Sequence, residues 1–422
     1  MIEYKDSGIE WLGTIPAHWE VKRLKDVTTL NPNYVGGNCV GDVSFVPMES
    51  LRLGQIDYQD ISFDEAKGKY TFFANEDLLI AKVTPCFENG NIAIAKNLKQ
   101  GIGFGSSEIF VLRCFDISNN YMFYYSLSSQ FQGQACATMC GVGGLKRISP
   151  LFMRTYKFAV PPLAEQQAIA DYLDKKTAEI DTQVSLIDKK VTALQKLKQS
   201  LISSVVTKGL TPNVELRDSG IEWLGTIPAH WEVKRIKDVC NVVCGATPKD
   251  NTLYWDGDIN WVSPADMPEF GEILEGSRTL TELGYQSCGT SLVPAGSIVM
   301  STRAPIGKTN IALNELCTNQ GCKCLTSKKI IMRFMLYSIW NKKEQFQALG
   351  RGTTFFELST KDLSLFHLAI PPLAEQQAIA DYLDKKTAEI DTQIDVLNKK
   401  ATTYKKLKQS LIDEVVTGKR KI

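Results

Sequence analysis

Residues 161–183 read PPLAEQQAIADYLDKKTAEIDTQ, and the same 23 letters return unchanged at residues 371–393. The repeat resumes at 196–202, KLKQSLI, which reappears in the same register at 406–412. Neither copy contains Pro or Gly between its proline pair and the Val-Val-Thr that follows, and such composition favours helix. A proline pair is typical of the first turn of a helix. Each copy therefore predicts one long helix of roughly 45 residues, about 65 Å in length.

Both predicted helices carry a narrow apolar seam with steps of four and three residues, as in a coiled coil. The seam residues are Ile180, Val184, Ile187, Val191 and Leu194 in the first copy, and Ile390, Ile394, Leu397, Ala401 and Tyr404 in the second. The simplest partner for one helix is the other. Because the second copy follows a whole further half-chain, we expect antiparallel pairing with pseudo-two-fold symmetry.

A second repeat precedes each helix. Residues 6–23, DSGIEWLGTIPAHWEVKR, return at 218–235, and the bodies that follow have diverged. The chain is thus expected to be α+β, with two similar mixed globules separated by the paired helices. The predicted divisions are a first globule at 1–160 with a leading segment at 6–27, a central helical region at 161–212, a second globule at 213–370 with a leading segment at 218–239, and a C-terminal helical region at 371–422.

The diverged bodies keep traces of one shared fold. Apolar runs at 78–80 and 298–300 are each followed by Pro and then by Asn-Ile-Ala, which predicts strand, loop and strand in both. Helices are expected near 121–131 and 331–346, and last strands near 156–160 and 366–370. Residues 207–217, with Gly and Pro among charged groups, are predicted to link the two halves.

Composition narrows the class of protein. A chain of 422 residues, 44% hydrophobic and 23% charged, is ordinary globular composition. Its net charge of +1 argues against a nonspecific nucleic-acid binder and leaves open a reader whose basic residues are gathered at one face. Eleven cysteines without regular spacing are read as reduced thiols. The N-terminal residues resemble no signal peptide, and no apolar run approaches a membrane span. A cytoplasmic protein is expected.

No catalytic constellation is found, and no metal site is predicted. Residues 304–309, APIGKT, end like a phosphate-binding loop, but Thr302 stands where its first glycine is required. The cysteines lack the paired spacing of a zinc site. His18 and His230 lie in the repeated Pro-Ala-His-Trp segment, where they are expected to fix that segment against its globule.

A duplicated frame with divergent loops and a rigid spacer suits the reading of two different features of one extended ligand, of which DNA is the obvious example. Two other classes remain open. A self-contained methyltransferase or nuclease would need a cofactor loop and acidic metal ligands, which are not seen. A coiled-coil adaptor whose globules bind protein or glycan would share this architecture.

The paired PPLAEQQAIADYLD and GIEWLGTIPAHWE segments resemble those of the specificity (S) subunits of type I restriction-modification systems, over essentially all 422 residues. The resemblance implies a non-catalytic subunit with two target recognition domains, each reading half of a bipartite double-stranded DNA sequence. It also implies two adenine-N6 methyltransferase (M) subunits on the helices, and restriction (R) subunits bound through them. No cofactor is expected on this chain; S-adenosylmethionine, ATP and Mg²⁺ are expected on the partner subunits.

Polar residues of the shared loops are the predicted DNA contacts, because Arg and Lys pair with guanine edges and Asn or Gln with adenine. They are Lys82, Thr84, Asn89, Asn91, Ser106, Lys146 and Arg147 in the first body, and Thr302, Arg303, Lys308, Asn319, Gln320, Arg351, Thr353 and Thr354 in the second. The resemblance places the M subunits at 164–180 and 374–390. The predicted partner-binding residues are Glu165, Gln166, Tyr172, Glu375, Gln376 and Tyr382.

Overall fold

A computed structural model describes residues 3–36, 39–142, 144–352 and 356–422. The chain divides into two compact units, which we call unit 1 (Met1–Asp188 with Asn398–Ile422) and unit 2 (Lys189–Leu397). The boundaries between units fall inside the two predicted helical regions. Each unit therefore contains a globule together with part of each long helix.

The two long helices are confirmed. They run from Leu163 to Lys208, 46 residues, and from Leu373 to Val416, 44 residues. Ile180, Ile187, Ile390 and Ala401 of the predicted seam are buried. The heptad pattern therefore identified the side of each helix that is removed from water.

Within unit 1, the start of the first long helix packs against the end of the second. Tyr121 donates from its hydroxyl to the carbonyls of Ala159 and Val416, so the approach to the first helix lies beside the end of the second. Farther along the first helix, Asp181 forms a 2.6 Å ion pair with Lys408, which precedes Val416. Moving forward along one helix corresponds to moving backward along the other, so the pairing is antiparallel.

Unit 2 repeats this arrangement with the remaining halves of the helices. Lys198 of the first helix forms a 2.6 Å ion pair with Asp391 of the second. Asp391 is the repeat equivalent of Asp181, and Lys198 is the repeat equivalent of Lys408. The same contact is therefore made once in each unit.

The globule of unit 1 contains two four-stranded sheets. The first is antiparallel in the order Ile92–Ile94, Leu78–Ala81, Ile109–Cys114 and Thr28–Leu30; the second is mixed in the order Gln59–Ser62, Asp42–Val46, Ile102–Gly105 and Thr71–Ala74. Hairpins join Tyr4–Asp6 to Thr14–Pro16, Leu51–Arg52 to Gln55–Ile56, and Cys140–Val142 to Leu145–Arg147. The shorter helices are Leu24–Val27, Phe63–Ala66, Asn119–Ser126, Ser129–Ala137 and Pro150–Thr155.

The globule of unit 2 has a five-stranded and a three-stranded sheet. The first has the order Asn241–Cys244, Cys322–Thr326, Ile298–Ser301, Thr309–Ala312 and Phe270–Ile273; the second has the order Arg278–Leu280, Trp255–Val262 and Cys317–Thr318. A hairpin joins Leu216–Asp218 to Thr226–Pro228. The shorter helices are Ile236–Val239, Glu282–Gln286, Met332–Trp340, Lys343–Leu349 and Thr360–Leu365.

The last strand of each body leads directly into its long helix, as expected. Lys157–Val160 pairs antiparallel with Glu20–Arg23, and His367–Ile370 pairs with Glu232–Arg235. Each repeated leading segment is thus anchored beside the start of a long helix.

The helices predicted near 121–131 and 331–346 are each two helices. In unit 1 the first ends at Ser126, and Ser128 adopts an extended conformation and caps the second by accepting from the amide of Phe131. A Ser at this position competes with helix continuation by bonding the backbone itself. The sequence prediction was therefore right in element type and wrong in continuity.

Candidate functional site

In unit 1, the end of strand Leu78–Ala81 and the hairpin 140–147 form one polar surface. Thr84 receives a hydrogen bond from the amide of Lys146 at 2.9 Å on its hydroxyl, and its own amide donates to the Lys146 carbonyl at 3.0 Å. The Thr84 hydroxyl also donates to the carbonyl of Gly144. These bonds fix the hairpin against the strand end, so that predicted contacts from distant parts of the sequence lie side by side.

Glu108 lies at the centre of this surface. Arg147 donates from Nε and Nη2 to the two carboxylate oxygens of Glu108, at 2.9 and 3.0 Å, and Lys82 Nζ lies 3.9 Å from the same carboxylate. Ser106 accepts from the Glu108 amide and shapes the loop that carries it. The hydrogen bonds from Arg147 hold the pKa of Glu108 below its usual value, so this carboxylate is ionised near neutral pH.

Two predicted residues of the first body lie elsewhere. Asn89 is exposed and lines a cavity of about 740 Å³ together with Leu53 and Lys408, rather than the surface around Glu108. Asn91 accepts from the amide of Ala81 through its backbone carbonyl, which continues the strand pairing. The structure thus brings together Lys82, Thr84, Ser106, Lys146 and Arg147.

Unit 2 has an equivalent surface at the end of strand Ile298–Ser301. Arg303 donates from Nε to Glu357 at 2.8 Å, and buried Lys323 lies 3.6 Å from the same carboxylate. Arg351 and Glu357 exchange two backbone hydrogen bonds of 3.0 Å. An acidic side chain again lies beside cationic ones. Here the acid is Glu357, six residues after Arg351.

Several predicted residues of the second body support this surface from within. Thr302 is fully buried and donates to the carbonyl of Gly321, while Lys308 Nζ donates to the carbonyls of Pro264 and Met267 at 2.8 and 2.9 Å. These two side chains brace the loops rather than face solvent.

The remaining predicted residues of unit 2 divide into two groups. Asn319 accepts from the Gly321 amide through its side chain, and exposed Gln320 is hydrogen-bonded to the Thr247 hydroxyl. Thr353 and Thr354 lie outside the described residues. Asn319 and Gln320 therefore belong to a loop next to Arg303, whose amide contacts Gly321.

The backbone bonds align the two surfaces residue by residue. In unit 1 the Ile148 amide donates to the Lys82 carbonyl, and the Lys82 amide donates to the Glu108 carbonyl. In unit 2 the Leu358 amide donates to the Thr302 carbonyl, and the Thr302 amide donates to the Gly321 carbonyl. Three positions of the shared frame therefore carry different side chains. The equivalent pairs are Lys82 with Thr302, Glu108 with Gly321, and Arg147 with Glu357.

Sequence reasoning missed Glu108 and Glu357, because it looked only for groups that donate to bases or bind phosphate. One signal was present. Glu357 stands 210 residues after Arg147, the same offset that relates the two long helices, so the repeat marks both as one position.

Two of the six predicted partner-binding residues are buried. Gln166 and Gln376 are about 1–2% exposed; their side chains accept from the amides of Ser118 and Ile331 and donate to the carbonyls of Pro161 and Pro371. They join the globule to the start of its long helix and are not available to a partner protein.

The other four are at least partly accessible. Glu165 and Glu375 lie 2.8 and 2.9 Å from His18 and His230, so these histidines fix the leading segment to the long helix rather than to the globule. Tyr172 is half-buried and Tyr382 is 36% exposed.

Two further classes of site are absent from the described ranges. Across 3–36, 39–142, 144–352 and 356–422, no group of three or more His, Cys, Asp or Glu side chains is arranged to hold a metal ion. Over the same ranges, no helix has the length and apolar character needed to cross a membrane.

Comparison with known proteins agrees with the duplicated architecture. The type I restriction modification DNA specificity domain matches at residues 16–189 and again at 228–399. The putative type I restriction enzyme MjaX specificity subunit of Methanocaldococcus jannaschii is 25% identical over 97% of this chain and 96% of its own length. The MjaIX specificity subunit of the same organism is 37% identical over 166 residues, 38% of each chain.

Solved structures share the fold. A chain from a study of complex assembly and conformational transition of the type I R-M system superposes with a TM-score of 0.79 at 18% identity, over 96% of this chain and 99% of that one. The HsdS subunit of Thermoanaerobacter tengcongensis gives 0.59 at 19% identity, over 96% and 98%. With two copies of the family domain in its two halves, the chain belongs to the type I restriction-modification specificity subunits, which are DNA-recognition components and not enzymes.

Proposed function

We propose that each unit reads one half of a bipartite, asymmetric DNA target. The observation that carries this proposal is the shared frame with exchanged side chains, in which Arg147 of unit 1 is replaced by Glu357 of unit 2. A common backbone presents side chains at the same place, and different side chains select different bases. The two half-sites are therefore expected to differ in sequence.

The chain also holds two adenine-N6 methyltransferase subunits, one at 164–180 and one at 374–390, and through them restriction subunits. Identical residues at equivalent places suit two copies of one partner. S-adenosylmethionine is then bound by the methyltransferase subunits, and ATP and Mg²⁺ are likewise bound by partner subunits. The assembly works in the cytoplasm, where its DNA is.

An exchange of one body tests the half-site assignment. Residues 28–160 are replaced by the corresponding body of another specificity subunit, and adenine methylation is mapped by sequencing the genome of a host that also carries the M subunits. We expect one half-site to change while the other stays. The reciprocal exchange of 240–370 should change only the second half-site.

The outcomes separate this proposal from its rivals. An unchanged methylation pattern, or a change of both half-sites after one exchange, contradicts one reader per unit. A gel shift with the M subunits and genomic DNA fragments distinguishes a DNA reader from an adaptor. A DNA reader shifts only fragments that contain its target sequence, whereas an adaptor does not select fragments by sequence.

A further inference from the structure

Arg147 and Arg303 share an uncommon setting among the predicted DNA contacts, because each is held by a carboxylate of its own unit. Arg147 donates to Glu108 through Nε and Nη2, and Arg303 donates to Glu357 through Nε. In unit 1 the arginine comes from the hairpin, whereas in unit 2 the equivalent hairpin position carries the acid and the arginine comes from the strand end. An acid-held arginine is thus present in both units, although its two members come from different positions of the shared frame.

The geometry of the Arg147 pair leaves a defined edge for a ligand. A guanidinium has five N–H donors in one plane. The bonds to Glu108 use the Nε side of that plane, so the Nη1 and outer Nη2 hydrogens remain on the far edge. Those two nitrogens match the O6 and N7 acceptors of guanine, which bind an arginine in a bidentate manner. The Arg147 side chain is 45% exposed and that of Glu108 only 28%, so the acid lies deeper than the arginine.

Electrostatics favours a base over a phosphate as the ligand of this arginine. A cation that neutralises a phosphate adds to the salt dependence of binding. Arg147 and Glu108 together carry no net charge, so the pair itself contributes little to that attraction, and the positive charge beside it belongs to Lys82. What the carboxylate provides is a fixed direction for the guanidinium, which a base edge requires and a phosphate does not.

We infer that Glu108 is a positioning residue that holds Arg147 for bidentate recognition of a guanine in the half-site of unit 1. This inference rests on the proposed function, since it specifies the base read at a surface already proposed to contact DNA. Glu108 itself contacts no base and acts through Arg147.

Base preferences measured position by position test the inference. The full chain with its M subunits is incubated with a randomised duplex pool, and the bound fraction is sequenced. We compare wild type, Glu108→Gln, Arg147→Ala and the double variant. Glu65→Gln is the matched control, since Glu65 is an exposed carboxylate of the same unit that is 3.8 Å from Lys69.

Glu108→Gln is expected to lower the preference for guanine at one position of one half-site about tenfold, within the range of a single mismatched base pair. All other positions, including the whole second half-site, should change less than about twofold, which also shows that the variant is folded. Because Glu108 acts through Arg147, the double variant should behave like Arg147→Ala alone.

Several results would overturn the inference. If Glu108→Gln strengthens binding to all sequences alike and steepens the salt dependence, Arg147 contacts phosphate. If the effects of Glu108→Gln and Arg147→Ala add, the two residues act independently. If wild type selects a sequence and Glu108→Gln does not change it, only this inference fails; if wild type selects no sequence, the proposed function fails with it.

Discussion

Tyr124 donates a 2.6 Å hydrogen bond from its hydroxyl to Oδ1 of Asp174, and the same hydroxyl lies 3.2 Å from the Thr177 hydroxyl. The contact joins a helix of the unit 1 globule to the first long helix. Unit 2 repeats it, with Tyr337 bonded to Asp384 at 2.8 Å and near Thr387. The two globules are therefore attached to their long helices by the same polar contact.

Removal of this hydroxyl should loosen the attachment locally. For Tyr124→Phe we expect a loss of about 1 kcal/mol, because Asp174 is exposed and water replaces part of the lost bond. Hydrogen exchange followed by mass spectrometry should show faster exchange in helix Asn119–Ser126. Tyr337→Phe should have the same effect in helix Met332–Trp340.

Tyr70→Phe is the control for this experiment. Tyr70 packs on Phe45, a residue of the second sheet of unit 1, and both belong to a hydrophobic cluster that includes none of the described residues of the long helices. Its substitution should leave exchange in Asn119–Ser126 unchanged. Equal acceleration by Tyr70→Phe and Tyr124→Phe would mean that the attachment does not depend on the bond to Asp174.

Buried tyrosines also predict how stability changes at high pH. Burial raises the pKa of Tyr156 to about 12, while the unfolded chain releases this proton near pH 10. The stabilisation is therefore complete below pH 10 and is lost as the pH rises from 10 to about 12, by roughly 3 kcal/mol for this one residue. Burial raises the pKa of Tyr124 and Tyr337 in the same direction.

Urea unfolding between pH 8 and pH 12 measures this effect. We expect a falling free energy of unfolding above pH 10, with a shallower fall in Tyr156→Phe than in wild type. A variant curve parallel to that of wild type would show that Tyr156 does not titrate with unfolding.

The sequence was sufficient for the features that rest on local periodicity. The seam of Ile180 and Ile390, the proline pairs and the repeated segments predicted both long helices and the duplicated plan. It was insufficient where long-range pairing decides the outcome. Gln166 lies in a polar stretch of sequence that would be expected to face solvent. It is buried, because its side chain accepts a hydrogen bond from the amide of Ser118 in the globule, and the spacing of residues within the helix does not reveal that contact.

The same limit applies to the proposed DNA surface. Lys82 and Arg147 are far apart in the chain, and hydrogen bonds between their two segments, such as that from the Ile148 amide to the Lys82 carbonyl, place them together. From the sequence, Lys308 is expected to be a solvent-facing loop residue. In the structure its ammonium group donates to the carbonyls of Pro264 and Met267 in a separate loop. Residue type predicted the candidates, and tertiary hydrogen bonding decided which of them share one surface.

The long helices are expected to set the distance between the two half-sites. Deletion of 184–190 together with 394–400 removes one heptad from each helix and leaves Asp181, Lys408, Lys198 and Asp391 in place. Seven residues correspond to about 10 Å of helix, or about 3 base pairs at 3.4 Å each. Methylation mapping should find both half-sites unchanged and a spacer shortened by about 3 base pairs.

A deletion in one helix only is the control for this prediction. It leaves the apolar seam on the same face of the helix but shifts one helix along the other by one heptad, so that the ion pairs Asp181–Lys408 and Lys198–Asp391 cannot both form. We therefore expect it to destabilise the protein rather than to yield a new spacer. A paired deletion that retains the original spacer would contradict a ruler role for the helices.

The identical helix segments should each bind one methyltransferase subunit. Tyr172 and Tyr382 are equivalent and partly accessible, and aromatic residues dominate the energetics of many protein interfaces. Tyr172→Ser or Tyr382→Ser alone should leave a complex with one M subunit, and the double variant should leave none, as measured by native mass spectrometry. The controls are Leu186→Ser and Val396→Ser, exposed apolar residues outside the identical segments, which should retain both M subunits. Loss of both M subunits in either single tyrosine variant would show that the two sites are not independent, and the proposed arrangement of one partner per segment would have to be abandoned.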